Sequence, residues 1–389
     1  MTLRVDNFYG TMMSAATREA MLSRRPGLRP LIITRSTFAG AGAKVGKWLG
    51  DNLRYVSWIL LTIRHQLTHL HSEWSFYRLS IPGMLGFASI YQVPMVGSDT
   101  CGFGGNTTET LCARWATLGA FNPFYRNHNG DTSIPQEFYR WPLVTQAAKN
   151  AIDIRYRLLD YFYTAFHTQH TDGTPALQPL FFQYPQDTRT FDIQYQFFFG
   201  PSVLVSPVLE ENSTAVEIYL PDDQFYNFFT YERVEGKGAS ISLMDVSYTE
   251  IPVHIKGGVV LPLRVESAYT TTDLRKKNFE LVVASARDGS ASGLLYLDDG
   301  VSIEQKTAPL EWTFEYSKGM LKAAGKGKHD VGKLKWAKVK ILGVTEKPKT
   351  VEVDGKKIKD FRYDATSGVV SVTVGKALSN KSLKVELKN

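Results

Sequence analysis

Short apolar runs alternate with stretches of helical spacing over the first 190 residues, and this alternation limits the possible folds more than any other feature. Three runs are apolar without polar alternation, as is typical of strands buried on both faces: residues 29–36, 93–100 and 178–185. Three further stretches have helical spacing: residues 8–24, 108–119 and 145–170. Strand and helix alternation predicts a parallel sheet with helical crossovers, in which functional side chains gather where strands end.

The pattern changes after about residue 194 to short strand-like runs separated by turn residues. This texture predicts antiparallel β structure, most simply two β domains that divide near Thr270. We therefore predict an α/β domain over residues 1–190, a proximal β domain over 191–270 and a distal, lysine-rich β domain over 271–389. The sequence has no low-complexity linker between them, so we expect the β domains to pack on the α/β domain.

The net charge of +7 is concentrated in the last β segment. Residues 318–389 hold 17 lysines and one arginine against seven acids, and the lysines alternate with valine, isoleucine and leucine. Such a pattern is typical of a solvated sheet face, whereas a nucleic-acid surface favours arginine with exposed aromatic residues. We predict no nucleic-acid partner. The sequence has no apolar run long enough for a membrane span and no signal-peptide pattern at its start, so no membrane partner is expected.

The two cysteines, Cys101 and Cys112, flank a short glycine-rich stretch. They can be two buried thiols or a local disulfide. Three Asn-X-Ser/Thr sequons, at Asn106, Asn212 and Asn380, favour the disulfide, because glycosylation sequons suggest an oxidising secretory compartment.

Polar and aromatic residues cluster at the ends of the predicted strands. The clusters are "TRSTFAG", "WLGDN", "VGSDTCGF" and "FYRNHN", with Arg35, Trp48, Asp51, Asp99, Phe103, Arg126 and His128. In a β/α barrel the carboxyl ends of the strands meet on one face, so these side chains are predicted to share a pocket. Carboxylates and guanidinium groups bind sugar hydroxyls, and aromatic faces pack on sugar rings. A single histidine without metal-ligand spacing argues against a metal, and no G-x-S-x-G motif supports a serine nucleophile.

Several stretches together resemble the second half of a retaining α-glucosidase of glycoside hydrolase family 31. They include "RPLIITRSTFAGAG", "KWLGDN", "VPMVGSDTCGFGGNTTETL", "FYRNHN" and "IPVHIKGGVVLPL", and the resemblance extends over about residues 6–300. The Cys-Gly-Phe and Arg-Asn-His-Asn forms are similar to the secreted or lysosomal acid α-glucosidase and maltase branch. The resemblance implies the C-terminal half of a TIM (β/α)8 barrel, strands 5–8, followed by two antiparallel β-sandwich domains. It implies no cofactor and a secreted parent enzyme.

The resemblance also implies roles for individual residues. Asp51 matches the general acid/base, which protonates the glycosidic oxygen and then activates water. Five residues match the subsite that binds the non-reducing glucose: Arg35, Trp48, Asp99, Phe103 and His128. The implied substrate is an α-linked gluco-oligosaccharide cleaved at its non-reducing end.

In this family the nucleophile is the aspartate of a Trp-x-Asp-Met-Asn-Glu-like motif, and this sequence has no such motif. A retaining mechanism needs two carboxylates, so we expect the chain to be inactive and poorly soluble alone and to need the missing N-terminal half as its partner. Alternative readings are a non-catalytic C-terminal subunit of a nicked enzyme, or an α-xylosidase or α-glucan lyase of the same family.

The spacing after Asp51 departs from the family. The family places a tryptophan five positions after the acid, and here deletion of residues 54–71 would bring Trp74 to that position. These residues correspond to the length of a short fungal intron, and their codons can contain splice signals. We interpret residues 54–71 as a retained intron, with a genuine amphipathic insertion as the alternative. Sequencing the transcript separates the two.

Overall fold

The computed structural model describes residues 8–51 and 74–388, so the predicted insertion lies outside the described residues. Short strands alternate with helices in the N-terminal part, as the sequence predicts. The strands are β1 (Ile33–Thr34), β2 (Gly46–Trp48), β3 (Val96–Gly97), β4 (Asp99–Thr100) and β5 (Arg126–Asn127). The helices are α1 (Tyr9–Arg24), α2 (Trp74–Leu85), α3 (Glu109–Gly119), α4 (Pro142–Arg157) and α5 (Leu159–Asp172).

All strand pairs among β1 to β5 are parallel. Strands β1, β2 and β3 form one three-stranded sheet in that order, and β4 pairs with β5, with Asp99 opposite Arg126. Strands β3 and β4 are separated only by Ser98 and form one extended segment. Strand β3 pairs with β2, and β4 pairs with β5. The carboxyl ends of these strands therefore lie along one edge, which is the condition for a shared site.

Helix α3 is held in place by a capping hydrogen bond at its N-terminus and by a tryptophan in its middle. The Thr108 hydroxyl accepts a hydrogen bond from the Leu111 N–H (3.2 Å) and caps the helix. Its apolar face, with Leu111 and Trp115, is buried in the main hydrophobic core. The Trp115 indole donates to the Ser98 hydroxyl (3.3 Å), which fixes the helix to the break between β3 and β4.

The chain then forms a proximal β region. Its larger sheet has the order β11-β10-β13-β8-β7-β6, and β9 and β12 form a separate pair. A core that includes Phe198, Leu204 and Ile218 fills this region. The elements are β6 (Leu177–Pro179), α6 (Leu180–Gln183), β7 (Phe197–Phe199), β8 (Val203–Val205), β9 (Val216–Leu220), β10 (Gln224–Asn227), β11 (Arg233–Glu235), β12 (Ala239–Leu243) and β13 (Val253–Lys256).

The distal region is one eleven-stranded sheet with the order β21-β20-β24-β18-β17-β16-β14-β15-β19-β23-β22. Its strands enclose a core built around Trp312, Phe314 and Trp336. The elements are β14 (Val259–Arg264), α7 (Thr271–Leu274), β15 (Phe279–Ala284), β16 (Ala291–Leu297), β17 (Leu310–Ser317), β18 (Met320–Lys326), β19 (Lys335–Leu342), β20 (Thr350–Val353), β21 (Lys356–Ile358), β22 (Phe361–Asp364), β23 (Val369–Ala377) and β24 (Leu383–Lys388).

Two details differ from the sequence expectations. The apolar run at residues 178–185 is not one buried parallel strand, because β6 pairs antiparallel with β7 and the chain turns at once into α6. Strand β14 pairs with β15 and so joins the distal sheet before the expected division near Thr270. In both cases hydrogen bonding to a distant strand decides the assignment. The fold class, a partial barrel followed by β regions, is confirmed, but the distal sheet is mixed rather than antiparallel, because β15 pairs with β19 and β14 with β16 in parallel.

Buried ion pairs join the β regions to the helices. Arg264 of β14 donates to Asp160 of α5 (2.6 Å), and Arg157 of α4 donates to Glu280 of β15 (2.8 Å). Both carboxylates are largely inaccessible to water. The expectation that the β regions pack on the α/β region is thus correct. Within the ranges given above, no helix is both long and apolar enough to cross a bilayer.

Candidate active site

The ends of β1 and β2 position an arginine and a carboxylate side by side. Arg35 directly follows β1, and Asp51 follows β2 after a turn at Gly50, whose φ of +97° is easily adopted only by glycine. A Cβ at Gly50 would also lie 3.3 Å from the Arg35 side chain. Arg35 Nη1 and Asp51 Oδ2 are 3.7 Å apart, with the arginine largely exposed. Asp51, with 21% of its side chain exposed, is thus partly reachable from solvent.

Asp99, at the start of β4, is the most deeply buried acid of the cluster. Its Oδ1 accepts from Arg126 Nη2 at 2.6 Å, and its side chain has no exposed surface. Burial raises the pKa of Asp99, while the Arg126 guanidinium and the Trp48 indole N–H oppose that rise. The result is a carboxyl group held in a dry setting by one strong charge-assisted bond.

Arg126 belongs to the site, although the sequence analysis gave it no role in substrate binding. Its guanidinium lies over the rings of Trp48 (4.8 Å) and Phe124 (5.3 Å) while it binds Asp99. A buried aspartate needs a nearby positive charge, and this requirement was the available signal. Only the β4–β5 register shows which arginine supplies it.

Aromatic walls close the other side. The His128 ring follows β5 and lies 5.0 Å from the Phe103 ring and 6.4 Å from the Trp48 ring, measured between centroids. Cys101 and Cys112 form the predicted disulfide, which fixes the turn between Asp99 and Phe103. The structure thus brings together all six residues assigned to substrate binding and catalysis from the sequence.

The polar atoms of the site converge. One oxygen of Asp51, one oxygen of Asp99 and one ring nitrogen of His128 lie within 4.8 Å of one another. Asp99 Oδ2 and Trp48 Nε1 are buried, and neither makes a hydrogen bond of normal geometry. These two polar atoms therefore have unused hydrogen-bonding capacity directly beneath the site.

The same three ligand atoms could in principle face a metal ion. Two guanidinium groups already lie beside the carboxylates, Arg35 on Asp51 and Arg126 on Asp99. The positive charge of these groups would repel a metal cation, whereas it would not repel a neutral polyol. The arrangement therefore suits a sugar better than a metal, and the absence of a metal stays a prediction.

The three sequon asparagines are all exposed. Asn106 lies in the loop beyond Phe103 and accepts a hydrogen bond from the Ile134 N–H (2.9 Å), Asn212 precedes β9, and Asn380 precedes β24. Exposure is necessary for glycosylation but does not by itself show it.

Two family models match consecutive parts of the chain. The glycosyl hydrolases family 31 TIM-barrel domain matches residues 2–165, and the glycosyl hydrolase family 31 C-terminal domain matches residues 173–261. The chain belongs to glycosyl hydrolase family 31. The family identified from the sequence motifs is confirmed.

Individual proteins extend this result. The chain is 59% identical over 320 residues to a protein from Aspergillus fumigatus named "Probable alpha/beta-glucosidase agdC", covering 82% of this chain and 34% of that protein. It is 39% identical over 390 residues to an "Alpha-glucosidase" from Schizosaccharomyces pombe, covering 97% of this chain and 38% of that protein. A crystal structure of a glucosidase II alpha subunit superposes with a TM-score of 0.83 at 29% identity, covering 98% of this chain and 42% of the other.

Coverage of the relatives is partial. The chain spans between 34% and 40% of the length of the Aspergillus proteins that it matches. The matched family member therefore contains much that this chain does not, and the activity of a whole enzyme is a matter for proposal.

Proposed function

We propose that this chain forms part of a retaining α-glucosidase that releases glucose from the non-reducing ends of α-linked oligosaccharides. The observation that carries the proposal is the convergence of Asp51, Asp99 and His128 at the strand ends, with their polar atoms within 4.8 Å. Asp99 Oδ2 and Trp48 Nε1, which face each other without a hydrogen bond of normal geometry, add a buried acceptor and a buried donor. The α-glucosidases among the relatives support the substrate class.

Asp51 is the proposed general acid/base. Its carboxyl group stands at the mouth of the site, where it can protonate the glycosidic oxygen and later deprotonate a water. Arg35 lies beside it and over the Trp48 ring (5.8 Å), so the arginine can bind a hydroxyl without leaving the carboxylate. These contacts give the acid a fixed direction toward the substrate.

A retaining glycosidase needs a nucleophile in addition to the acid/base, and the two carboxyl groups lie about 5–5.5 Å apart. Asp99 is close enough to Asp51 to satisfy that distance alone. However, it is fully buried and one oxygen is engaged by Arg126, so we assign it to hydroxyl binding rather than to attack on the anomeric carbon. The second catalytic carboxylate is proposed to come from outside this chain.

The surface beside β1 supports a missing partner. Within the described ranges β1 pairs with β2 only, so its other edge is unpaired. The Phe8 ring packs against Phe38, which follows β1, with the ring centroids 4.8 Å apart and the planes tilted by 51°, and Met12 and Met13 of α1 are each more than half exposed. An unpaired edge with apolar neighbours is what the remaining barrel strands would cover. This observation also favours the second candidate, a C-terminal subunit of a nicked enzyme.

Substitution of Asp51 in a complete enzyme tests the main proposal. Asp51→Asn should lower maltose hydrolysis by about 10²–10⁴-fold, the usual contribution of a general acid/base. Azide, which needs no general base, should restore turnover of a substrate with a good leaving group. Asp192→Asn, an exposed carboxylate between β6 and β7, is the matched control and should leave hydrolysis unchanged. Undiminished hydrolysis by Asp51→Asn would refute the assignment.

Activity measurements on the isolated 389-residue chain test whether it needs a partner chain. We expect it to hydrolyse no maltose alone and to gain activity when co-expressed with the N-terminal half of a relative. Robust turnover by the chain alone would contradict the missing nucleophile. Product analysis then separates the family alternatives, because an α-xylosidase releases xylose and a lyase releases an unsaturated sugar. Co-purification from its source with a larger N-terminal chain would support the nicked-enzyme reading.

Secretion and glycosylation complete the proposal. The exposed sequons at Asn106, Asn212 and Asn380 and the Cys101–Cys112 disulfide suit an oxidising compartment. Protein isolated from its source should lose mass on treatment with an N-glycosidase. An unchanged mass would contradict the proposed glycosylation.

A further inference from the structure

One buried side chain contacts both loops that carry the aromatic walls of the site. Gln136 lies in the connection after β5 and is 1% exposed. Its amide nitrogen donates to the carbonyl oxygens of Gly102 (2.8 Å) and His128 (3.1 Å), and it also lies within bonding distance of Thr100 and Asn127. No sequence motif contains this residue.

The two shortest of these backbone contacts reach different loops. Gly102 belongs to the turn after β4 and directly precedes Phe103, whereas His128 belongs to the loop after β5. An amide NH₂ has two hydrogens, so a single group can hold one carbonyl from each loop. The Asn127 side-chain amide donates to the backbone carbonyl oxygen of Gln136 (2.8 Å), which holds the backbone of this residue in place.

The turn after β4 needs such support. Cys101 has a φ of 75° and Gly102 a φ of 82°, so two consecutive residues are in the left-handed region. For Cys101 this conformation costs free energy and persists only where surrounding contacts fix it. The disulfide to Cys112 supplies one contact, and the bond from Gln136 to the Gly102 carbonyl supplies another.

We propose that Gln136 is a positioning residue that sets the spacing between Phe103 and His128 and thereby the affinity of the subsite for glucose. The inference rests on the proposed function, because it takes these two rings as walls of a sugar subsite. Gln136 itself touches no substrate. The ring centroids of Phe103 and His128 are 5.0 Å apart. The Gln136 amide holds the backbone of Gly102, next to Phe103, and the backbone of His128.

The test uses the whole chain and two readouts. The first needs no ligand: the nuclear Overhauser effect between the ring protons of His128 and Phe103, in protein labelled at its eight histidines. His128→Gln identifies the signal. The second is the affinity for D-glucose, measured by titration calorimetry. The first readout therefore decides the role of Gln136 even if the proposed sugar binding fails.

Three variants are compared. Gln136→Leu removes the donors at similar size, and Gln136→Glu keeps the shape but places a carboxylate against carbonyl oxygens. Gln196→Leu is the matched control, since Gln196 is a buried amide that donates to Tyr219 O (3.1 Å) and Ser206 Oγ (3.0 Å) in the proximal region. It should lower stability without affecting the site.

We expect both Gln136 variants to lose the His128–Phe103 effect near neutral pH and Gln136→Leu to bind glucose about tenfold more weakly, as for one lost hydrogen bond. Gln136→Glu should regain only part of the effect in acid, because a protonated carboxyl has one hydrogen and can donate to only one of the two carbonyl oxygens. If Gln136→Leu does not fold, Gln136→Glu carries the test. Retention of the ring contact in the Gln136 variants would overturn the proposal. Absence of glucose binding by the wild-type chain would count against the proposed sugar site instead.

Discussion

Replacement of His254 by leucine should reduce the acid sensitivity of the six-stranded sheet. His254 lies in β13, between Asn227 of β10 and Leu204 of β8, and is almost inaccessible to water. Its Nδ1 has no hydrogen-bond partner among residues 8–51 and 74–388. Burial without a partner disfavours the charged imidazolium and lowers the pKa of His254 to about 4.

The sign and size of the effect follow from this pKa. Below the ordinary histidine value of about 6.5, the unfolded chain binds a proton that the folded sheet refuses until about pH 4. The stability that neutral His254 contributes is thus complete above about pH 6.5 and is lost as the pH falls toward 4. At about pH 5 the loss amounts to about 2 kcal/mol in the free energy of unfolding.

Hydrogen exchange on peptides from β8, β10 and β13 measures this local stability. Wild type should lose about 2 kcal/mol of protection free energy, as a result of His254, between about pH 8 and about pH 5. His254→Leu should lack that part of the loss, and the exposed control His170→Leu should behave like wild type. An equal acid loss in His254→Leu and wild type would refute the reasoning.

Three further predictions concern the rest of the chain. Cys101→Ser should lower the free energy of unfolding by about 2–3 kcal/mol in denaturant titrations, and a reductant should bring wild type to the same value. Arg114 donates to four backbone carbonyls of the loops flanking β9–β12, so Arg114→Leu should cost about 3 kcal/mol and speed exchange over residues 213–250; unchanged exchange there would contradict this. Replacing both Met12 and Met13 with glutamate should reduce aggregation in light scattering, because both are exposed on an apolar surface; unchanged aggregation would show that this surface is not its cause.

The sequence predicted the site well because its residues stand at strand ends. Parallel strands bring their carboxyl ends to one edge, so Arg35, Asp51, Asp99 and His128 could be grouped without any distance. The disulfide between Cys101 and Cys112 was predicted because three sequons suggested an oxidising compartment, and the structure contains it. The roles of individual residues in catalysis, by contrast, rest on the family resemblance and stay proposals.

What the sequence missed depends on contacts between distant segments. Arg126 was placed in the predicted pocket, but its ion pair with Asp99 depends on the register of β4 and β5, and Gln136 joins the site through carbonyl oxygens on two other loops. Neither contact leaves a pattern in the local sequence, since an isolated arginine or glutamine fits most loops. The pairing of β6 with β7 was missed for the same reason: an apolar run does not specify which strand it will meet.

The contact at Asp298 has a consequence for dissecting this protein. This carboxylate has no exposed surface and lies at the end of β16, yet it accepts from Arg29 (2.6 Å) and Tyr163 (2.8 Å) of the α/β region. Removing the distal region would leave the Arg29 guanidinium and the Tyr163 hydroxyl without this hydrogen-bond acceptor. A truncation before β16 is therefore expected to destabilise the α/β region, because it removes the carboxylate that binds one residue before β1 and one after β5.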